Sequence, residues 1–280
     1  MFEPINSCDG IYRDSLDVRF TKSCDNKCAF CIERKGIDNQ GQNVEKMIEG
    51  TKKSGKKNIL VLGGEPMLNL QTLKTYIDGI KDFVENIYIT TSLPNSINQD
   101  WDTFTYIMDN ITCLNVSLQH YDWKINNQVL NASSNHNRIE LLKKICVNYS
   151  KKVRVSINLV QGYIDTKAKL DTFLKTMENI GVSHVKINEL QHEPDLYVSF
   201  RDLYGMILPA PYVYGCQGDI DLGYKMRITL KRSCFCTQPQ HIRCTDIEEE
   251  KFKQHKTEHT CTVLYEDGTL SDGWIIKEKE

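Results

Sequence analysis

From Leu16 to Glu189 the chain alternates short apolar runs with segments whose apolar residues recur every three or four positions. Six runs, "LDVRF", "NILVL", "IYITT", "LNVSL", "VRVSINLV" and "HVKINEL", read as strands. They are short and rich in Val, Ile and Leu, the composition of parallel strands covered on both faces. The segments between them read as helices. In "TKAKLDTFLKTMENIG", Leu170, Phe173, Leu174, Met177 and Ile180 share one face and Gly181 supplies the stop. In "NRIELLKKICVNY", Asn137 and Glu140 form a capping-box pattern, and Ile139, Leu142, Ile145 and Tyr149 continue one face. "NVEKMIEGTKKSG" and "LQTLKTYIDGI" add two more. Repeated strand–helix units predict an α/β fold with a parallel sheet, open or curled into a partial barrel. The site is then expected in the loops at the carboxyl ends of the strands.

Past Glu193 the pattern changes. "ILPAPYVYG" carries two prolines, and "YKMRITL" and "TCTVLYEDGTLSDGWII" read as antiparallel strands, with "EDGT" as a hairpin turn. The expected organisation is an N-terminal extension (1–15), a strand–helix core (16–193) and a C-terminal, Cys-rich capping region (194–280).

Composition narrows the class. With 280 residues, 40% hydrophobic and 26% charged, the chain matches a soluble globular protein. "MFEPINSCDG" shows no basic segment leading into an apolar run, and no apolar stretch reaches the ~20 residues of a membrane span. A cytoplasmic location is expected, where the 11 cysteines serve as reduced thiols or metal ligands. A net charge of −2 makes no electrostatic case for nucleic acid, and "KKSGKK" reads as the solvated end of a helix.

Three of those cysteines fall together in "SCDNKCAFC": Cys24, Cys28 and Cys31. Disulfides need an oxidising compartment and an even count. Structural zinc needs a fourth ligand from elsewhere, such as a distant histidine. An iron–sulfur cluster on three thiolates leaves one iron open to a non-protein ligand. The triplet follows the first strand, and the second strand runs straight into "GGEP", Gly63 to Pro66, where glycines let a backbone and a ligand approach closely.

A Cys-x3-Cys-x2-Cys triplet after one strand and Gly-Gly-Glu-Pro after the next resembles the radical S-adenosylmethionine (SAM) enzymes across Leu16–Glu189. The resemblance implies a partial (β/α)6 TIM-like barrel with a C-terminal β-containing extension. It implies a [4Fe–4S] cluster on Cys24, Cys28 and Cys31, with SAM chelating the fourth iron. Electron transfer then breaks a SAM carbon–sulfur bond, and the 5′-deoxyadenosyl radical removes a substrate hydrogen. By place in the family pattern, Gly63, Gly64, Glu65 and Pro66 contact the methionyl group and Phe30 lies beside the adenine. Thr91, Ser92, Ser117 and Asn158 are candidates for the ribose and carboxylate. Each of these four has an alternative as a turn or cap residue. A side chain at Gly64 is expected to exclude SAM while sparing the cluster.

Substrate-facing candidates come from "SLQHYDWKINN" and "NELQHE". They are Gln119, His120, Tyr121 and Asp122 after the fourth strand, and Glu189, Gln191 and His192 after the sixth. His120 suits acid–base work because its ordinary pKa is near neutrality. The alternative has Asp122 capping the next helix and Tyr121 packing on it. Cys113 and Cys146 read as core residues, and Cys8 stands alone.

Cys216, Cys234, Cys236, Cys244 and Cys261 have the place of an auxiliary iron–sulfur cluster but no familiar ligand spacing, so zinc and unliganded thiols stand beside it. "INEL" and "CTVLYEDGTL" resemble the GTP 3′,8-cyclases of molybdenum-cofactor synthesis. Glu258 stands where that family has a cysteine and the chain ends "KEKE", which argues against GTP cyclisation. The expected function is radical SAM chemistry on a small molecule or nucleotide, with a flavodoxin- or ferredoxin-type reductant. Modification of a peptide or nucleic acid is the alternative enzyme, and a silent cluster- or zinc-binding interaction module is the alternative from another class.

Overall fold

The structure, a computed structural model, describes residues 15–31, 33, 36–38, 40–190, 193–205, 217–231 and 262–275. Six parallel strands stand side by side in chain order: β1 (Ser15–Thr21), β2 (Asn58–Gly63), β3 (Asn86–Thr91), β4 (Cys113–Ser117), β5 (Val153–Leu159) and β6 (His184–Glu189). The helices connecting them are α1 (Val44–Ser54), α2 (Leu70–Ile80), α3 (Ser96–Gln99), α4 (Trp101–Asp109), α5 (Trp123–Leu130), α6 (Arg138–Tyr149) and α7 (Lys167–Ile180). A short α8 (Phe200–Tyr204) follows β6. Side chains of Asn43, Asn69, Asp122, Asn137 and Thr166 accept the first free N–H groups of their helices. Gly181 ends α7 as expected. No helix among the described residues is long and apolar enough to cross a membrane.

The remaining strands, β7 (Gln217–Asp219), β8 (Arg227–Lys231), β9 (Thr262–Leu264) and β10 (Leu270–Ser271), join the same sheet. Here the antiparallel expectation is half corrected. β8 runs parallel to β6 and β9 parallel to β1; only the outer partners β7 and β10 are antiparallel. Strand direction at a sheet edge is set by long-range pairing, which local pattern does not carry.

The strands alternate. In β5, Val153, Val155, Ile157 and Leu159 are buried while Arg154, Ser156 and Asn158 are only partly so, and β3 and β6 repeat the pattern. The apolar set shares one core with the helices: Phe20 of β1 meets Tyr76 of α2 with ring centres 5.7 Å apart, and Leu170, Phe173, Leu174 and Met177 of α7 join it. The other face is polar, contrary to the expected cover on both faces. It is also concave. Burial pushes the Asp17 carboxyl on β1 up, and Lys231 on β8, with five strands between them in the sheet, lies near enough to oppose that shift. The sheet is thus a partial, unclosed TIM-like barrel with a polar interior.

One buried ion pair fastens the C-terminal hairpin to the barrel. Arg19 of β1 donates from Nε and a terminal nitrogen to the two Glu266 oxygens, each at 2.7 Å, and neither side chain is more than 1% exposed. The same guanidinium reaches the carbonyls of Ile37 and Asp38 and lies 4.6 Å from the Tyr265 ring centre. Glu266→Ala leaves the buried Arg19 with only the Glu33 carboxylate at 3.9 Å, so a loss of about 3 kcal/mol is expected in denaturant unfolding. The exposed Asp272→Ala should change stability by no more than about 0.5 kcal/mol. Equal effects of the two would show that the pair does not anchor the hairpin.

Candidate active site

The loops that follow β1 and β2 are zipped together by backbone. Gly64 N–H donates to the Thr21 carbonyl at 2.6 Å and Glu65 N–H to the Ser23 carbonyl at 2.8 Å. A Cβ on Gly64 would lie 2.1 Å from the Ser23 oxygen and 2.7 Å from the carbonyl carbons of Lys22 and Ser23. Gly63 has φ +102°, a left-handed conformation that only glycine adopts without strain. The close approach these glycines permit is therefore to the cysteine loop itself. A side chain at position 64 strikes that loop, which sets the steric demand of the turn against the expectation that the cluster would be spared.

Glu65 is buried, and its carboxylate is fully engaged. Oε1 accepts from Thr91 Oγ1 at 2.7 Å and Met67 N at 3.1 Å; Oε2 accepts from Ser92 N at 2.6 Å and Ser92 Oγ at 2.7 Å. Burial pushes this carboxyl up, and those donors oppose the shift. Glu65, Thr91 and Ser92 are thus brought together, joined to one another. Pro66 opens the short 3-10 turn Pro66–Leu68 that Glu65 caps.

Asn26, inside the cysteine loop, donates to Ser92 Oγ at 2.7 Å and links the loop to this carboxylate network. Behind it lies Arg138, a fully buried residue that the sequence pattern hid within a helix face. Its Nε donates to the Ser92 carbonyl at 2.9 Å, a terminal nitrogen bonds Asn127, and the other reaches Asn26, Asp25 and Ser134 at 3.3–3.4 Å. Ser133 N–H and Oγ–H both donate to the Asp25 carbonyl, and Lys27 N–H donates to the Leu130 carbonyl. The loop is held from three directions.

Cys24 is exposed and Cys28 and Cys31 are half-buried, at the carboxyl edge of the sheet. Burial, with contributions from the neighbouring thiols, pushes Cys24 up to about 11 and Cys28 up to about 12. Asn26 N–H points at Cys24 Sγ, 3.4 Å away, and Cys28 Sγ faces the Leu130 carbonyl at 3.5 Å. Among the described residues no three His, Cys, Asp or Glu side chains converge as a metal site. The donor set nevertheless fits an iron–sulfur cluster: three thiols on one anchored turn, within electrostatic reach of each other, with Arg138 in reach of Cys24 and Cys28.

The other candidates divide. Phe30 is partly buried within the loop. Ser117 and Asn158 are partly exposed and, by strand alternation, belong to the polar inner face. Gln119 accepts from Asn158 N–H at 3.0 Å, tying β4 to β5. Asp122 caps α5, Tyr121 packs against the core, and its ring lies 4.1 Å from that of His120. His120 is buried, which lowers its pKa, and Nδ1 accepts from Asp122 N–H at 3.0 Å. Glu189 alternates with Val185 and Ile187 toward the helical layer, where it accepts from Phe200 N–H at 2.9 Å and from Tyr197. Its carboxylate is turned away from the inner face. Gln191, His192, Cys8 and all five C-terminal cysteines lie outside the described residues.

A family model described as the radical SAM superfamily matches residues 18–177. A search of curated protein sequences finds no match. Among solved structures, Streptococcus suis SuiB bound to S-adenosylmethionine aligns with a TM-score of 0.62 at 14% identity, covering 92% of this chain and 60% of that one. SuiB bound to its precursor peptide SuiA aligns with a TM-score of 0.61 at 14% identity, covering 92% and 59%. A radical SAM methyltransferase from Sphaerobacter thermophilus aligns with a TM-score of 0.51 at 16% identity, covering 76% and 64%. The chain spans about 60% of the length of SuiB. At these identities the likeness is one of fold.

Gly64→Val is expected to cost about 1–3 kcal/mol through this overpacking. Bound iron and SAM affinity should fall together in the folded variant. Full iron with SAM affinity alone lost, by metal analysis and calorimetry, would show that the glycine faces the ligand and not the loop.

Proposed function

The chain belongs to the radical SAM superfamily, a superfamily of enzymes, and we propose that Cys24, Cys28 and Cys31 hold a [4Fe–4S] cluster with SAM at its open iron. When bound, this pair supplies a 5′-deoxyadenosyl radical from the reductive cleavage of SAM, the oxidant for removing a substrate hydrogen. The observation that carries the reading is the anchoring of the cysteine loop onto Gly64 and Glu65, which puts the triplet and the glycine motif in one place.

The chain's own residues then divide the work. The backbone of Gly63 and Gly64 meets the methionyl amine, while the Glu65, Thr91 and Ser92 side chains, being bonded to one another, position that backbone. Phe30 lies beside the adenine, and Ser117 and Asn158, on the inner face, meet the ribose and carboxylate. Arg138 holds the loop and sets a positive charge near Cys28. His120 and Tyr121 stay at the rim as substrate contacts; Glu189 serves as a helix cap. The electron comes from a flavodoxin- or ferredoxin-type protein in the cytoplasm.

The substrate is a small molecule or nucleotide, which suits the polar, half-exposed interior of the barrel. Peptide modification is the second reading, favoured by the fold shared with SuiB, which has been captured with its precursor peptide. An auxiliary cluster on the C-terminal cysteines belongs to either reading, and so does the tail strand that resembles the GTP cyclases.

Anaerobically reconstituted protein should absorb near ~400 nm, carry about four irons per chain (up to about eight with an auxiliary cluster) and release 5′-deoxyadenosine from SAM with dithionite. Changing Cys24, Cys28 and Cys31 together to alanine should abolish that release. Release that persists in the triple variant would place the cluster elsewhere; none from the wild type would favour a silent module.

A further inference from the structure

The inner face of the barrel carries positive charge that the reaction above does not use. The register sets Asn115, Arg154, His184 and Arg227 in one row across β4, β5, β6 and β8. Ser117, Ser156, Lys186 and Thr229 form the next row toward the cysteine loop. Arg227 is matched by Asp219, with Nε at 3.1 and 3.0 Å from its oxygens and a terminal nitrogen at 2.9 Å.

Arg154 has no such match. Its Nε is buried with no hydrogen-bond partner, and its guanidinium forms no ion pair among the described residues. The groups that face it are Tyr88 on β3, Cys113 and Asn115 on β4 and His184 on β6, none of them an acid. His184 senses the resulting field. It is pushed down to about 3, first by burial and then by Arg154 and Arg227, with Asp219 opposing and Lys186 adding to the shift. Its Nε2–H donates to Thr229 Oγ1 at 2.8 Å, and that hydroxyl donates to Asp219.

A partly dehydrated guanidinium without a counter-charge is unfavourable, and a carboxylate or phosphate relieves it with two parallel N–H···O bonds. We propose that Arg154 seats an anionic group of the substrate, a carboxylate or phosphate, with Lys186 adding charge from the row above. This rests on the radical SAM reading, which puts the reacting atoms at the cysteine-loop end of the barrel. Asn158 lies four strand steps beyond Arg154 on β5, about 13 Å at the usual rise of a strand. The substrate therefore carries its anion about that far from the atom that reacts, the span of a nucleoside monophosphate or a short acidic peptide.

The test titrates the reconstituted full chain, saturated with SAM, with adenosine 5′-monophosphate and separately with N-acetyl-triglutamate. At least one probe should bind, more weakly as salt rises. Arg154→Gln should weaken it about tenfold or more, roughly 1.4 kcal/mol. Arg154→Lys should recover part of the loss, because it keeps the charge without the planar fork. Phosphate-only or carboxylate-only binding identifies the source of the anion. If Arg154→Gln fails to fold, the lysine variant and the wild-type salt series decide. No binding of either probe, affinity indifferent to salt, or affinity unchanged in the variants overturns the proposal. Failure of the wild type to make 5′-deoxyadenosine would strike the radical SAM reading separately.

Discussion

The backbone of Gly64 lies against that of Ser23 with no room for a single carbon between them, and the site is built outward from that contact. Two hydrogen bonds from the second loop to the first fix the start of the cysteine turn relative to β2. With that start fixed, Asn26 comes within reach of Ser92, and Ser92 within reach of Glu65. Each later tie is a side-chain bond that geometry permits only once the two backbones have met. A glycine is therefore required here for steric reasons before any ligand is considered.

Buried charge does the rest of the fastening, on both sides of the turn. Upstream, Arg138 joins Asp25 and Asn26 to the end of β3 and to α5. Downstream, Arg19 joins the Ile37–Asp38 backbone to Glu266 of the C-terminal hairpin. A buried ion pair adds little net stability over apolar packing, because desolvation offsets most of its attraction. What two such arginines do supply is direction: each guanidinium bonds several groups in one plane, so the loop between them has few alternatives. Rigidity of this kind leaves the turn that carries the three thiols little freedom to move.

Much of this was legible in the sequence, and the gaps have physical causes. The six central strands, the Asn137 and Asp122 caps and the Gly181 stop follow from local pattern, because each is decided within a few residues. The polar inner face was also written there: "VRVSINL" and "NIYITT" alternate strictly, but their Val and Ile content reads equally as strands buried on both faces. Arg138 left no local signal, since an arginine opening a helix is ordinary until the fold buries it. Glu65 was seen as part of a motif, whereas its partners Thr91 and Ser92 lie 26 and 27 residues away and only the sheet brings them to it. The directions of β8 and β9 were out of reach for the same reason.

The sequence distance of the Arg19–Glu266 pair, 247 residues, gives the site an order of assembly. Contacts between distant parts of a chain form late, since closing the intervening loop costs entropy before any contact rewards it. Until β9 docks beside β1, Arg19 has only the more distant Glu33 carboxylate at 3.9 Å, and the segment after the cysteines is held by that contact and by Lys22, without the close Glu266 pair. The triplet lies near the start of the described chain, yet its downstream support arrives with nearly the last residues described. The cysteine loop therefore gains the last of its downstream support only when the β9 edge of the sheet is in place.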